Sequence, residues 1–205
     1  MLVKIYTDGA ARGNPDGPGG YGCVLHYTDR NGNLHEKELS AGYKKTTNNR
    51  MELMAAIVGL EALNRPCQIQ LYSDSKYLVD AFNQHWIDGW IKKGWKRGKN
   101  EPVKNVDLWK RLLQAKEPHQ VEFIWVKGHD GHEMNERCDY LATSAADGDN
   151  LLVDPGIAER KRTCILIILI VKIHVLFVYK SLFQTCSSSI NREDLHGSGS
   201  GNRLV

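Results

Sequence analysis

Apolar and β-branched residues concentrate in three short segments near the start of the chain, a pattern that predicts β-strands. The segments are residues 2–8, 21–28 and 34–43. An Asn-Gly pair at 31–32 lies between the second and third segments, and this pair is typical of a tight hairpin turn. We therefore expect the first part of the chain to form an antiparallel meander of three strands.

From residue 49 onward, longer helical patterns alternate with short strand patterns. Strands that are separated by helices pair in parallel, because the chain must cross over between them. The prediction is an α/β domain over residues 1–147, with a mixed five-stranded sheet of three antiparallel strands followed by two parallel strands, flanked by helices. The expected helices are 49–63, 75–86, 106–116 and 135–146, and the expected strands are 68–73 and 121–126.

Residues 148–205 differ in character and predict an atypical apolar and flexible C-terminal tail. Two apolar runs, 164–171 and 175–179, flank Lys172, and a Gly-Ser repeat follows at 197–201. A membrane-spanning helix needs about 20 apolar residues, and a central lysine costs about 2.5–3.5 kcal/mol. We therefore expect strands that dock on the domain or on a partner rather than membrane association, or else a segment from an altered reading frame.

Net charge narrows the classes of partner. The 205 residues carry 27 Lys and Arg against 24 Asp and Glu, which gives a formal net charge of only +3. This excludes a protein that binds nucleic acid through bulk charge alone. Basic charge is instead concentrated locally, because residues 91–111 contain eight Lys and Arg and two acids, an excess of +6.

Cysteine usage predicts a reducing compartment. Five cysteines occur at long spacings and without a CxxC pair, which argues against a disulfide framework and against a zinc site. The apolar start at residues 1–6 is too short for the apolar region of a signal peptide. We therefore expect reduced thiols and a cytoplasmic protein.

Four acidic residues are expected where strands or helices begin or end, and together they are candidate metal ligands. If the strands that carry two of them are neighbours, the adjacent carboxylates would repel each other unless a cation lay between them. Hard oxygen ligands suit Mg²⁺ or Mn²⁺, and four carboxylates can hold two such ions for in-line phosphodiester hydrolysis. Taken singly, each acid has a plainer explanation, such as helix capping. The four are Asp8, Glu52, Asp74 and Asp139.

A series of motifs surrounds these acids. They are Tyr6-Thr7-Asp8-Gly9, Gly13-Asn14-Pro15, Gly17-Pro18-Gly19-Gly20, residues 46–53, Ser73-Asp74-Ser75, residues 86–109, Val126-Lys127-Gly128-His129 and residues 135–139. In this order, over residues 2–147, the chain resembles type 1 ribonuclease H, the enzyme that cuts the RNA strand of an RNA–DNA hybrid. One such motif alone would be weak evidence, whereas several in the same order are specific.

The resemblance implies a ribonuclease H-like fold and a metal-dependent endonuclease that leaves 5′-phosphate and 3′-hydroxyl ends. It places the metal ligands of the family on all four acids, with two Mg²⁺ ions per site when substrate is bound. It places the mobile-loop histidine of the family on His129, which would shuttle a proton or help product to leave. His132 is the second choice for that role.

The resemblance also implies contacts to the hybrid near the acids. Short polar groups there would recognise 2′-hydroxyls and grip a phosphate of the DNA strand. The residues expected to do so are Asn14, Thr47 and Asn48. Lys76 stands where the family often has Gln; it can reach a phosphate but has no acceptor for a base edge or hydroxyl.

Residues 86–105 resemble the basic protrusion, or handle, of the family. Its charges would contact the DNA backbone, and counterion release would make binding depend on salt. The expected contacts are Trp86, Trp90, Lys92, Lys93, Lys96, Arg97 and Lys99. Trp109 is expected to pack at the base of the handle instead.

The expected partner is an RNA–DNA hybrid, bound by a monomer that needs no protein partner. The expected setting is the removal of RNA primers and R-loops. Three other functions stay open: a catalytically inactive hybrid-binding module; another nuclease of the ribonuclease H fold, such as a transposase, an integrase or a junction resolvase; and a membrane-attached or assembly protein that carries a nuclease domain. The intact acids argue against the first, and the Gly-Asn-Pro loop with the handle argues against the second.

Overall fold

A mixed five-stranded sheet lies at the centre of the structure, a computed structural model that describes residues 1–13, 17–128 and 130–158. The elements are β1 (Leu2–Ala11), β2 (Gly19–Thr28), β3 (Leu34–Tyr43), α1 (Asn48–Glu61), β4 (Gln68–Ser73), α2 (Lys76–Asn83), α3 (Trp86–Lys92), β5 (Lys96–Arg97), β6 (Glu101–Pro102), α4 (Val106–Lys116), β7 (Gln120–Trp125) and α5 (Glu133–Ala146). The sheet order is β3-β2-β1-β4-β7. The three N-terminal strands pair antiparallel, and β4 pairs in parallel with β1 and β7. The predicted fold is confirmed.

The two faces of the sheet are covered by different helices. Ile5 and Cys23 belong to the large core that α1 fills, whereas Tyr6 and Val24 pack with Cys138 of α5. Because neighbouring residues of a strand point to opposite faces, α1 and α5 lie on opposite sides of the sheet. The two helices can therefore bring acids to the same end of β1 from both sides.

Glycines let α5 lie directly on the sheet. A β-carbon at Gly22 would overlap the main-chain oxygen of Cys138, and one at Gly42 would overlap that of Ala145. Any larger residue at these points would push the helix away from β2 and β3, because packed interiors have no spare volume. The helix that carries Asp139 is thus held at a fixed distance from β1.

The segment after β4 breaks where one helix was expected. The prediction of a single helix over 75–86 was wrong, because α2 ends at Asn83 and His85 adopts a left-handed backbone with φ 56° before α3 begins. A short hairpin of β5 and β6 follows, which the sequence did not predict. The left-handed residue His85 therefore separates α2 from α3, the first element of the handle.

The compact unit extends to Ala158, beyond the domain end expected at 147. Leu152 forms a parallel bridge with Tyr43, in which its amide donates to Gly42 and its carbonyl accepts from Lys44. Asp154 is then buried to 4% exposure. Residues 148–158 are therefore part of the domain, because they bind to β3 and to α1. These partners are far away in the sequence.

The apolar runs and the Gly-Ser repeat of the expected tail fall in residues 159–205 and lie outside the described residues. None of the helices within the described ranges is both long and apolar enough to cross a membrane. In the same ranges Cys23, Cys67 and Cys138 are buried free thiols.

Candidate active site

Asp8 and Asp74 lie side by side because their strands are neighbours. In the parallel pairing of β1 with β4, Thr7 is opposite Ser73, so the two acids follow a matched pair of residues. The amide of Gly9 donates to Oδ1 of Asp8 at 2.7 Å, which fixes one oxygen of that carboxylate. The adjacency of these two strands, on which the expected approach of the two acids depends, is therefore present.

Glu52 joins them from α1. Gly9 permits this approach, because a β-carbon there would overlap the main-chain nitrogen of Glu52. The Glu52 side chain is almost completely buried, and its Oε1 accepts from Nδ2 of Asn48 at 3.2 Å. Its Oε2 is also buried and has no hydrogen-bond partner among the residues that the structure describes. A buried carboxylate oxygen without a donor is unusual and calls for a ligand.

These three acids form a tight cluster of like charge. One carboxylate oxygen from each of Asp8, Glu52 and Asp74 lies within 4.8 Å of the others. Burial, followed by the charge of Asp74, raises the pKa of Asp8 to about 8. Burial, followed by the charges of Asp8 and Asp74, also raises the pKa of Glu52 well above its ordinary value. Burial and like charge therefore both oppose ionisation of Asp8 and Glu52 at this point of the fold.

A hard divalent cation fits this donor set. The cluster offers only carboxylate oxygens, which suit Mg²⁺ or Mn²⁺ rather than zinc or copper. The unpartnered Oε2 of Glu52 supplies one such donor, and a cation would remove the repulsion that raises the pKa of Asp8. We conclude that the cluster is a candidate metal centre.

Asp139 approaches the cluster from α5 but is not one of the three acids within 4.8 Å. It is half-buried, and its charge is among the causes that raise the pKa of Asp8. Four acids were expected to converge. Three of them form the close cluster, and the fourth is near enough for its charge to affect the pKa of Asp8.

The RNase H family model matches residues 2–147 of the chain. The chain belongs to the ribonuclease H family. Ribonuclease H of Lachnoclostridium phytofermentans is 76% identical over 154 residues, which are 75% of this chain and 98% of that relative. Ribonuclease H of Edwardsiella ictaluri is 60% identical over 144 residues, covering 70% and 89%. These are enzymes of the same family as the chain described here.

A solved structure agrees with this assignment to the ribonuclease H family. The crystal structure of LC9-RNase H1, a type 1 RNase H with the type 2 active-site motif, matches with a TM-score of 0.67 and 34% sequence identity. The match covers 77% of this chain and 79% of that chain. The family identified from the motifs is therefore confirmed by sequence and by fold.

Three of the expected substrate contacts lie at the starts of the helices α1 and α2, and one of them, Asn48, donates to Glu52. Thr47 is the N-cap residue of α1 and is half-buried, as is Asn48. Lys76 is exposed and opens α2, two residues after Asp74. Asn14 and His129 lie outside the described residues. Their roles stay predictions.

The handle presents basic side chains on a base of packed indoles. Trp109 is fully buried and donates from Nε1 to the hydroxyl of Tyr77 at 2.9 Å, which confirms its expected packing role. Trp90 packs against it with ring centroids 5.4 Å apart, and Trp86 is 37% exposed. Arg97 pairs with Glu101 within the hairpin at 2.8 Å. The exposed lysines of the handle are Lys92, Lys93, Lys96 and Lys99.

Arg50 lies at the centre of an ion cluster that sequence reasoning missed. Its Nε and Nη2 donate to both oxygens of Asp154, at 2.6 and 2.7 Å, and its Nη1 and Nη2 donate to Asp107 at 3.0 and 2.6 Å. Thr46 also donates to Asp154, at 2.7 Å. Arg50 is 2% exposed and lies two residues before Glu52. A buried Arg needs such partners, but its sequence does not reveal which acids supply them.

His132 has a packing role rather than an obvious chemical one. Its ring lies against Tyr6 at 5.5 Å and near Tyr72 at 6.3 Å, on the α5 face of the sheet. Its Nδ1 is buried without a hydrogen-bond partner within the described ranges. These ring contacts place His132 against the α5 face of the sheet, and a part for it in proton transfer stays a prediction.

Proposed function

We propose that the protein is an endonuclease that hydrolyses the RNA strand of RNA–DNA hybrids by two-metal-ion catalysis, leaving 5′-phosphate and 3′-hydroxyl ends. Membership of the ribonuclease H family supports the reaction class. The observation that carries the proposal is the cluster of Asp8, Glu52 and Asp74, in which one carboxylate oxygen from each acid lies within 4.8 Å of the others, so that burial and like charge raise the pKa of Asp8. A binding module without catalysis would have no use for that arrangement.

The acids would hold the metal ions, with Mg²⁺ as the expected ion and Mn²⁺ as an alternative. When bound, such ions make water a better nucleophile and stabilise the leaving oxygen of a phosphodiester. Asp8 would contribute an oxygen from within β1, Asp74 from the residue after β4, and Glu52 from α1. Asp139 would complete the set from α5. All four roles are proposals that follow from geometry and from the resemblance.

Neighbouring residues orient these ligands. The amide of Gly9 holds one oxygen of Asp8, and the amide group of Asn48 holds one oxygen of Glu52. Asn48 thereby leaves the other Glu52 oxygen directed to the cluster. His129 would move a proton or help product to leave, as the family pattern implies.

The substrate would lie across the cluster and reach the handle. Asn14, Thr47 and Asn48 would contact the hybrid beside the acids, and Lys76 would meet a phosphate. In the handle, Trp86 and Trp90 would contact the DNA strand together with its basic residues, namely Lys92, Lys93, Lys96, Arg97 and Lys99. Because the whole chain has a net charge of only +3, its attraction for the nucleic-acid backbone would come mainly from this local excess of basic residues.

The proposed setting is the cytoplasm, where the enzyme would remove RNA primers and R-loops. We further propose that it acts as a monomer without an obligatory protein partner. The support for this is that Asp8, Glu52 and Asp74 converge within a single copy of the chain.

One assay tests the proposed function. A labelled RNA–DNA hybrid, duplex DNA and duplex RNA are incubated with the full chain in Mg²⁺ or in chelator, and the products are resolved by length and by end group. We expect cleavage of the RNA strand of the hybrid alone, abolished by chelator and restored by Mg²⁺. Binding of the hybrid without cleavage in Mg²⁺ or Mn²⁺ would instead identify an inactive module.

A further inference from the structure

We propose that Trp125 is a positioning residue of this site, which holds the main chain of Asp74 with its indole N–H and the ammonium of Lys76 with its ring. The inference rests on the proposed function and deepens it. Neither the motifs nor the family pattern assigned a role to Trp125. Its position in the fold and three contacts carry the argument.

Trp125 extends the pairing of β4 and β7 by one step. It is the last residue of β7 and lies opposite Ser73, and the amide of Val126 donates to the carbonyl of Ser73 at 3.0 Å. The main-chain pairing ends there. The Nε1–H of Trp125 then donates to the next carbonyl, that of Asp74, at 3.1 Å. A side chain thus fixes the peptide group from which the Asp74 carboxylate projects.

The loop that follows Trp125 also contacts Asp74. Gly128 packs so closely that a β-carbon there would overlap Oδ2 of Asp74. Asp74 is therefore contacted at two points. Trp125, the last residue of β7, binds its carbonyl, and Gly128 in the following loop lies beside its carboxylate. If the indole of Trp125 moved, the peptide group of Asp74 would move with it, and the Asp74 carboxylate would be displaced from the cluster.

The ring of Trp125 has a second partner in Lys76. The Nζ of Lys76 lies 5.0 Å from the centroid of the ring, within the distance of a cation–π contact. Lys76 is the first residue of α2, where the positive end of the helix dipole disfavours a cation. Helix formation therefore does not explain a lysine at this point, whereas the indole gives its charge a fixed place beside the cluster.

Trp125 is suited to this role because it is not a core residue. It is 44% exposed, in contrast to the fully buried Trp109. Its N–H and its ring face act on different groups, so the two contributions are separable by substitution. The N–H should affect the rate through Asp74, and the ring should affect hybrid binding through Lys76.

The experiment compares Trp125→Phe, Trp125→Ala and Lys76→Gln in steady-state hybrid cleavage at several salt concentrations. Trp125→Phe removes the N–H and keeps a ring, and we expect kcat to fall about three- to tenfold with KM almost unchanged. Lys76→Gln should raise KM about three- to tenfold and reduce the salt slope of binding by about one, with kcat almost unchanged. Trp125→Ala should show both changes.

Lys110→Gln is the matched control, because it removes another lysine that lies over an indole, with Nζ 5.9 Å from the centroid of Trp95. It should leave kcat and KM at the values of the unmodified protein. A double substitution, Lys76→Gln with Trp125→Ala, should raise KM no more than Lys76→Gln alone, because both remove the same contact.

Unchanged kcat in Trp125→Phe, or additive KM effects in the double variant, would overturn the proposal. So would parallel losses of activity and thermal stability in all Trp125 variants, because these would indicate a purely structural role. The unmodified protein separates this failure from failure of the proposed function: if it does not cut the hybrid, the function fails first.

Discussion

The chain buries charge in two places along the first turns of α1, and the two places are balanced differently. At Arg50 every charge has a partner, because the guanidinium donates to Asp107 and Asp154 and Thr46 completes the set. At Glu52, two residues later, like charges meet and one buried oxygen has no donor within the described ranges. The first arrangement is a paired ion cluster, and the second is the metal site that we propose.

This contrast distinguishes a structural cluster from a functional one on physical grounds. Burying a charge is unfavourable unless it is paired, so a fold that leaves three acids together accepts a loss of stability at that point. Perturbed pKa values gather at functional sites for the same reason. The raised pKa of Asp8 and the close approach of the three acids therefore agree with the proposal that the second cluster is the metal site.

Asp74→Asn is the substitution that we expect to distinguish the acid cluster from the Arg50 cluster most clearly. Removing one ligand charge should lower the rate of hybrid cleavage in Mg²⁺ by at least about a hundredfold. The metal-free protein should be as stable as the unmodified protein or more so, because repulsion on Asp8 is relieved. Cleavage rates and denaturant unfolding in chelator check the two effects. Hybrid cleavage that survives this substitution would refute the metal scheme.

Asp154→Ala probes the balanced cluster and should have the opposite profile. It removes one partner of the buried Arg50, and breaking such a pair costs about 3 kcal/mol of stability. The measurement is the midpoint of denaturant unfolding, with kcat as the second readout. We expect a large loss of stability, and a change of kcat far smaller than that of Asp74→Asn.

Two truncations test the same cluster without a point substitution. A chain that ends at 158 keeps Asp154, whereas a chain that ends at 147 loses it together with the bridge at Leu152. The shorter chain should unfold at markedly lower denaturant. Equal stability of both chains would show that residues 148–158 contribute nothing to the fold.

The pH dependence of stability should reveal the unbalanced cluster. The pKa of Asp8 is raised on folding, so the folded protein binds a proton that the unfolded chain releases, and stability falls as pH rises towards and through about 8. In chelator we expect a loss of about 2 kcal/mol between about pH 6 and pH 9. Mg²⁺ should reduce this loss, because it binds the deprotonated acids. Unfolding curves that are independent of pH in chelator would contradict the raised pKa.

A pair of glycines gives the finest test. A β-carbon at Gly128 would meet Asp74, and one at Gly156 would meet Arg50. Gly128→Ala should lower kcat about tenfold with little change in stability, because a ligand is displaced. Gly156→Ala should lower stability by about 1 kcal/mol through overpacking and leave kcat unchanged. Exchange of these two outcomes would reverse the assignment of the clusters.

The sequence predicted the parts of this contrast that depend on strand order. Asp8 and Asp74 each come at the end of a strand pattern. They were therefore expected to lie close together if those two strands are neighbours in the sheet. Glu52 was expected with them, because α1 follows the meander and carries a recognisable motif. The pairing of β1 with β4 confirms that reasoning.

Other features depend on distant contacts that no local pattern encodes. Asp154 and Arg50 are separated by 104 residues, so the domain end at 147 was drawn too early. The break at His85 depends on a left-handed backbone that histidine adopts only in context. The sequence predicts Trp125 only as part of the strand 121–126, because its partner, the carbonyl of Asp74, is a main-chain group that has no signature in sequence.

The placement of the acids has a consequence for how the protein is made. Asp8 and Asp74 are synthesised early, whereas Asp139 and the helix that carries it emerge late, and Asp154 later still. With Asp139 as the fourth ligand that we propose, a nascent polypeptide on the ribosome would lack a complete metal site until almost the whole domain had left the exit tunnel. Under the proposed function, newly made protein would begin to cut RNA only after its last helix had docked.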